Sequence, residues 1–258
     1  MIGTLLAIVG AAFGGLALSR RAVTPVVHTF ATLRDFTADA AHELRSPLTA
    51  IASNAEAALR DERDPARDRH RFEAIADAAG AMSRLARDLL LLAAADRSLE
   101  REMFVVDLGE LLDRLCERYR ERFAAAQIAF GMGKCEPAIV YGNPQQIERI
   151  LANLIENALR YTPAGGTVML EIARDRGHVS ITVSDTGIGI APEHLDRIFD
   201  RFWRVDAARS QKGTGLGLAI ARALARRHGG DVTVTSRKDV GSIFVASFPT
   251  RPPRSAPS

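Results

Sequence analysis

The sequence predicts a multidomain chain of α and α+β class. It opens with an N-terminal membrane helix, continues as a helical hairpin that completes itself as a dimeric four-helix bundle, and ends in an α/β sandwich with a mixed sheet. Three observations predict this. Ile2–Leu18 contains no charged residue and is followed by Ser19-Arg20-Arg21. From Val26 to Leu92, apolar and small residues recur at spacings that alternate between three and four, the period of a helical seam. Beyond Phe104 the period switches repeatedly between helix and strand, with turn residues between the runs. The divisions fall at residues 1–21, 22–98, 99–250 and 251–258.

The apolar start lies at the short end of the roughly 17–25 residues that span a bilayer. A signal peptide would begin with basic residues and end at a small-residue cleavage site. Here the arginines follow the apolar run, which favours a retained membrane helix with the remainder in the cytoplasm. The chain is 47% apolar and 25% charged, ordinary values for a globular protein, and its net charge of +3 does not call for a nucleic-acid partner. Cys116 and Cys135 stand in no Cys/His cluster, so they read as free thiols and no zinc site is legible.

After a break at Thr24-Pro25, the first stripe runs through Phe30, Leu33, Thr37, Ala40, Leu44, Pro47, Ile51 and Ala58. Asp61 to Pro65 reads as a turn, with Pro65 opening the next helix. The second stripe runs through Phe72, Ile75, Ala79, Met82, Leu85 or Ala86, Leu89 and Leu92. An isolated hairpin leaves both stripes half covered, and two copies cover them, so a homodimer is expected. Residues 96–102 are polar and read as a linker. Strands are expected at Phe104–Val106, Ile128–Phe130, Ile139–Tyr141, Thr167–Ala173, His178–Ser184, Asp231–Ser236 and Ser242–Phe248. Helices are expected at Leu108–Ala125, Pro144–Tyr161 and Thr214–His228, covering one face of the sheet. The proline-rich tail from Arg251 to Ser258 reads as disordered.

With Thr37 and Leu44 at seam positions a, Ala40 is d and His42 falls at f, farthest from the seam. His42 therefore points to solvent, the usual fate of a surface histidine but also what a reactive one requires. A neutral imidazole is a competent nucleophile near pH 7. A zinc HExxH reading fails, because Ser46 stands where the second histidine should be. Asn153 and Asn157, four apart, share a helical face, where amide oxygens more often meet water than a ligand. Asp185-Thr186-Gly187-Ile188-Gly189 closes a strand, and alone it reads as an ordinary Asp/Gly turn. The aromatics Phe199, Phe202 and Trp203 have the spacing of a helix core, and Ala207–Lys212 reads as a loop. Gly213, Gly215 and Gly217 precede a helix, as in a phosphate cradle. A Rossmann fingerprint is excluded, because the third glycine comes one residue early and no strand leads directly in.

Taken together and in this order, these segments are similar to the sensor histidine kinases of two-component systems. His42-Glu43-Leu44-Arg45-Ser46-Pro47-Leu48 resembles the phosphorylation box of that family, departing only at Ser46, where threonine is typical. The downstream motifs resemble its ATPase domain, shared with DNA gyrase and heat-shock ATPases. The resemblance implies ATP-dependent phosphorylation of His42, aided by Glu43, and transfer to an aspartate of a response regulator. It implies a phosphatase function in which Ser46 positions water. It implies ATP and Mg2+ as cofactors, with Asn157 on the metal and Asn153 lining the same site. Asp185 would read adenine in a pocket shaped by Gly187 and Gly189. Gly213, Gly215 and Gly217 would meet the phosphates, with Arg209 and Lys212 as lid cations. His228-Gly229-Gly230 reads as structural. The implied location is the inner (cell) membrane, with the catalytic part cytoplasmic. A non-catalytic nucleotide-binding scaffold and a serine kinase or ATPase of the same superfamily are the rivals; the intact motif set and the acceptor hairpin stand against them.

Overall fold

The computed structural model describes Arg34 and residues 37–60, 64–94, 103–175, 177–204 and 214–250. The apolar start, the linker at 96–102, Arg209, Lys212, Gly213 and the tail lie outside these residues. Among the described residues, no helix is long and apolar enough to cross a membrane. The chain divides into two compact units, one up to Arg84 and one from Leu85 onward.

In the first unit, α1 covers residues 37–60 and is followed by α2, Pro65–Ala94, whose residues from Leu85 onward fall in the second unit. Pro65 opens α2 as expected, in the first turn, where no donor is missed, and Asp64 caps it: its Oδ1 accepts from Ala66 N at 3.0 Å. Arg71 Nη1 donates to the Ala57 carbonyl at 3.2 Å, joining the two helices across the turn. Seam residues Ala40, Leu44, Pro47 and Ile51 are half-buried. Leu48, Leu59 and Phe72 stay exposed at 56%, 87% and 62%, leaving apolar surface for something else to cover.

The second unit is a sheet with helices on one face. Its order is β1 (Phe104–Asp107), α3 (Leu108–Ala125), β2 (Ala129–Cys135), β3 (Ile139–Gly142), α4 (Pro144–Tyr161), β4 (Thr167–Asp175), β5 (His178–Asp185), a 3-10 turn (Pro192–His194), α5 (Gly217–Arg227), β6 (Asp231–Arg237) and β7 (Gly241–Pro249). The main sheet has the order β2-β4-β5-β7-β6, with β2 parallel to β4 and the other pairs antiparallel. It is the mixed sheet expected. β1 and β3 do not join it; they form a separate antiparallel pair with Val106 opposite Val140.

Helix boundaries follow from caps. Asp107 Oδ1 accepts from Gly109 N at 2.9 Å and Glu110 N at 3.2 Å at the start of α3, and Asn143 Oδ1 accepts from Gln146 N at 3.1 Å at the start of α4. The buried stripe of α3 is Leu108, Leu111, Leu112, Leu115, Tyr119 and Phe123; that of α4 is Ile147, Ile150, Leu151, Leu154, Ile155 and Ala158. They meet the inward row of strand residues Val168, Leu170, Ile172, Val179, Ile181 and Val183, each no more than 1% exposed. Phe123 stacks on Phe130 with centroids 4.0 Å apart, seating α3 on β2. Both cysteines are free. α5 begins at Gly217, three residues later than the expected Thr214, because Gly215 takes φ +69°, outside the helical region. The aromatic segment also departs from a helix: the 3-10 turn gives way to turns, and Phe202 adopts φ +60°.

Candidate functional site

His42 lies on the exposed side of α1, with Glu43 half-buried and Ser46 exposed. Arg45 Nη1 lies 3.5 Å from His42 Nδ1, at the outer limit of a hydrogen bond. Helical structure continues through Pro47. Pro47 has no N–H, so the Glu43 carbonyl lacks its usual helical donor.

The other site residues assemble around α4. Asn153, Asn157 and Tyr161 follow one another at intervals of four along one face. At one end of this row Asn153, 8% exposed, donates Nδ2–H to the Gly217 carbonyl at 2.9 Å, tying α4 to the start of α5. At the other end the Tyr161 carbonyl accepts from Ile188 N at 3.1 Å, and Gly187 packs so closely on it that a Cβ would lie 2.5 Å away. Eight helical residues separate the two ends, about 12 Å, the order of the length of an extended nucleotide. Asn157 sits between them, half-buried, and its side-chain amide makes no hydrogen bond among the described residues.

Asp185 ends β5 and is 8% exposed. Its Oδ1 accepts from Gly187 N at 2.9 Å and from Ser242 N at 3.2 Å. The bland turn reading is thus realised, and Oδ2 remains as the acceptor for an incoming donor. Burial pushes the carboxyl above the ordinary aspartate range, against the downward pull of the two N–H donors. Gly189 takes φ +63°, and a Cβ there would stand 2.0 Å from the Arg237 carbonyl oxygen. Gly215 is similarly constrained: a Cβ would fall 2.6 Å from the carbonyl carbon of Phe202. Gly217 differs, since the nearest atom to a Cβ is 3.7 Å away, in Asn153. α5 has no side-chain N-cap, so its first N–H groups and helix dipole are available to an anion.

Sequence reasoning missed Ser242 and Ser236. Ser242, 5% exposed, holds Asp185 through its main chain, and its Oγ lies 2.9 Å from Ser236 Oγ, which accepts from Ile190 N at 2.9 Å. Little in the sequence could reveal this, because a main-chain N–H carries no residue signature. His228 is fully buried and structural as expected. Its Nδ1 lies 2.8 Å from the Leu224 carbonyl and its Nε2 accepts from Asn143 N at 3.1 Å, so the ring is neutral with its proton on Nδ1.

The donor set fits a magnesium nucleotide. No group of three or more His, Cys, Asp or Glu side chains that could hold a metal occurs among the described residues. The Asn157 amide oxygen is a donor of the kind hard Mg2+ takes.

Fold and site together define a nucleotide-binding domain of the gyrase and heat-shock ATPase type. Residues 142–252 match the family model described as "Histidine kinase-, DNA gyrase B-, and HSP90-like ATPase", and residues 32–98 match "His Kinase A (phospho-acceptor) domain". The chain belongs to the sensor histidine kinase family. Sensor histidine kinase RppB of Synechocystis sp. is 37% identical over 243 residues, covering 92% of this chain and 54% of that protein. The mycobacterial sensor histidine kinase MprB structure is 32% identical with a TM-score of 0.51, covering 58% of this chain and 99% of that one. Histidine kinase ThkA, solved in complex with response regulator protein TrrA, shares the fold at a TM-score of 0.69 and 23% identity, covering 91% of this chain and 66% of that one. The chain spans about half the length of the curated relatives it matches.

Proposed function

We propose that this chain is the kinase part of a sensor protein that uses ATP to phosphorylate His42 and passes the phosphoryl group to an aspartate of a response regulator. The observation that carries the reading is the row on α4, which ties a buried carboxylate turn at one end to an uncapped helix start at the other. Asp185 Oδ2 accepts from the adenine amine, within walls formed by Gly187 and Gly189. Gly213, Gly215, Gly217 and the start of α5 meet the phosphates, with Arg209 and Lys212 as further cations. Asn157 would offer its amide oxygen to the metal and Asn153 would line the same site; the metal, when bound, would neutralise phosphate charge. His42 attacks the γ-phosphorus through a ring nitrogen: an N–P bond forms, the bond to the ADP oxygen breaks, and Glu43 receives the ring proton. Ser46 positions water for hydrolysis of the phosphorylated regulator.

Leu48, Leu59 and Phe72 are covered by a second copy in a homodimeric four-helix bundle. Ile2–Leu18 anchors the chain in the cell membrane, with the kinase part in the cytoplasm. Incubation with γ-labelled ATP and Mg2+ tests the reading: label should enter the parent chain and be absent from His42→Gln, while both bind nucleotide equally. Label retained by His42→Gln refutes the assignment.

A further inference from the structure

Phe199 lies in the turn segment after the 3-10 helix and plays no part in the site as built above. Its ring is covered by Arg222 of α5, with Cζ 4.5 Å from the ring centroid. The guanidinium is fixed as well. Nε donates to Asp231 Oδ1 at 2.9 Å and Nη2 to Oδ2 at 3.3 Å, a bidentate pair with the start of β6. Arg226 reaches the same carboxylate at 3.1 and 3.4 Å. Against the upward push of partial burial, hydrogen bonds from the two arginines bring the Asp231 carboxyl down to about 2, so it stays charged. A planar cation held at both nitrogens and stacked on a ring is a rigid anchor, unlike a lysine in the same place.

This anchor bears on the phosphate end of the site. Three residues beyond Phe199, Phe202 takes φ +60°, a strained value for a residue with a side chain. Its backbone is the surface against which Gly215 is pressed. Gly215 leads directly into α5, whose first residue Gly217 is tied to Asn153. α5 therefore holds the aromatic segment through Arg222, and the segment in turn sets the path of the glycine turn.

We propose that Arg222 is a positioning residue for the nucleotide phosphates: by seating Phe199 it keeps the Phe202 backbone against Gly215 and so fixes the turn that opens α5. The inference rests on the nucleotide reading given under Proposed function. It differs from a plain structural staple, because Arg226 also pairs with Asp231 and would staple α5 to β6 without touching the ring.

The test measures ATP and adenosine affinities of the full chain by competition against a fluorescent ATP analogue. Arg222→Met and Phe199→Leu should each weaken ATP by about 2- to 30-fold, the range a single cation–π contact covers, with adenosine unchanged. The double variant should lose no more than the worse single one. Phe199→Tyr, which keeps the ring, should bind as the parent does, and Arg226→Met should leave ATP affinity unaltered. ATP affinity unchanged in Arg222→Met, an equal loss in Arg226→Met, or a parallel loss of adenosine overturns the proposal. A parent chain that binds no ATP overturns the functional reading itself, a result distinct from any of these.

Discussion

Asp185→Asn separates recognition from folding. In the parent, Oδ1 receives two backbone N–H groups, from Gly187 and Ser242. An asparagine must keep its oxygen toward those two donors, because turning the amide would set N–H against N–H. The NH2 group then points where Oδ2 stood, and under the proposed adenine role it would meet the adenine amine donor against donor. A hydrogen bond to a charged group contributes about 1.5–3 kcal/mol, so ATP affinity should fall by about 10- to 150-fold. Stability should hold or rise, since burial disfavours the charge and both backbone donors keep their acceptor. Because the folded pKa is raised, ATP binding by the parent should weaken as pH falls through that value, and the variant should lack this dependence. Calorimetric or competition binding together with a melting curve decides the matter. Parent-like ATP affinity in Asp185→Asn would refute the adenine role; lost affinity with a collapsed melting midpoint would refute the separation of binding from folding.

Three further outcomes follow from the same geometry. Gly189→Ala puts a methyl 2.0 Å from the Arg237 carbonyl at φ +63°; it should lower stability by at least about 1–2 kcal/mol, the left-handed penalty alone, and an unchanged urea midpoint would contradict this. Gly217→Ala meets nothing nearer than 3.7 Å and gains up to about 1 kcal/mol of helix propensity, so stability should hold or rise; under the proposed phosphate role of this turn the added methyl should weaken ATP binding, and intact ATP affinity would move the phosphates elsewhere. Burial lowers the pKa of His228, so the unfolded chain takes up a proton below about 6.5 that the native state refuses. Stability from this residue is fully present above that pH and is lost as pH falls toward the folded value, by up to about 1.4 kcal/mol per unit. Denaturation midpoints across that window should show the slope in the parent and a flatter profile in His228→Gln.

How far the sequence could be read depended on where each signal resides. α3 and α4 were legible because their buried stripes keep helical spacing; the caps Asp107 and Asn143 then fix where each begins. The isolation of β1 with β3 was not, since pairing partners across a helix leave no trace in either strand. The start of α5 was placed too early because a glycine in the left-handed region looks, in sequence, like any glycine before a helix. The aromatic run had helical spacing, yet the backbone of Phe202 broke the helix. His42, the two asparagines and the Asp185 turn, to which the proposed function gives their roles, stand out in the sequence as residue types in order. Ser242 was not, because it acts through its backbone, and the Arg222–Phe199 contact was not, because it joins segments distant in the chain.

The most direct measurement is peptide mapping of the chain after incubation with Mg2+ and ATP, under alkaline conditions that preserve phosphohistidine. The account predicts one acid-labile phosphoryl group per labelled peptide, on the imidazole of His42, and its loss on addition of a receiver domain. Phosphate on a serine or threonine, or on another histidine, would contradict it.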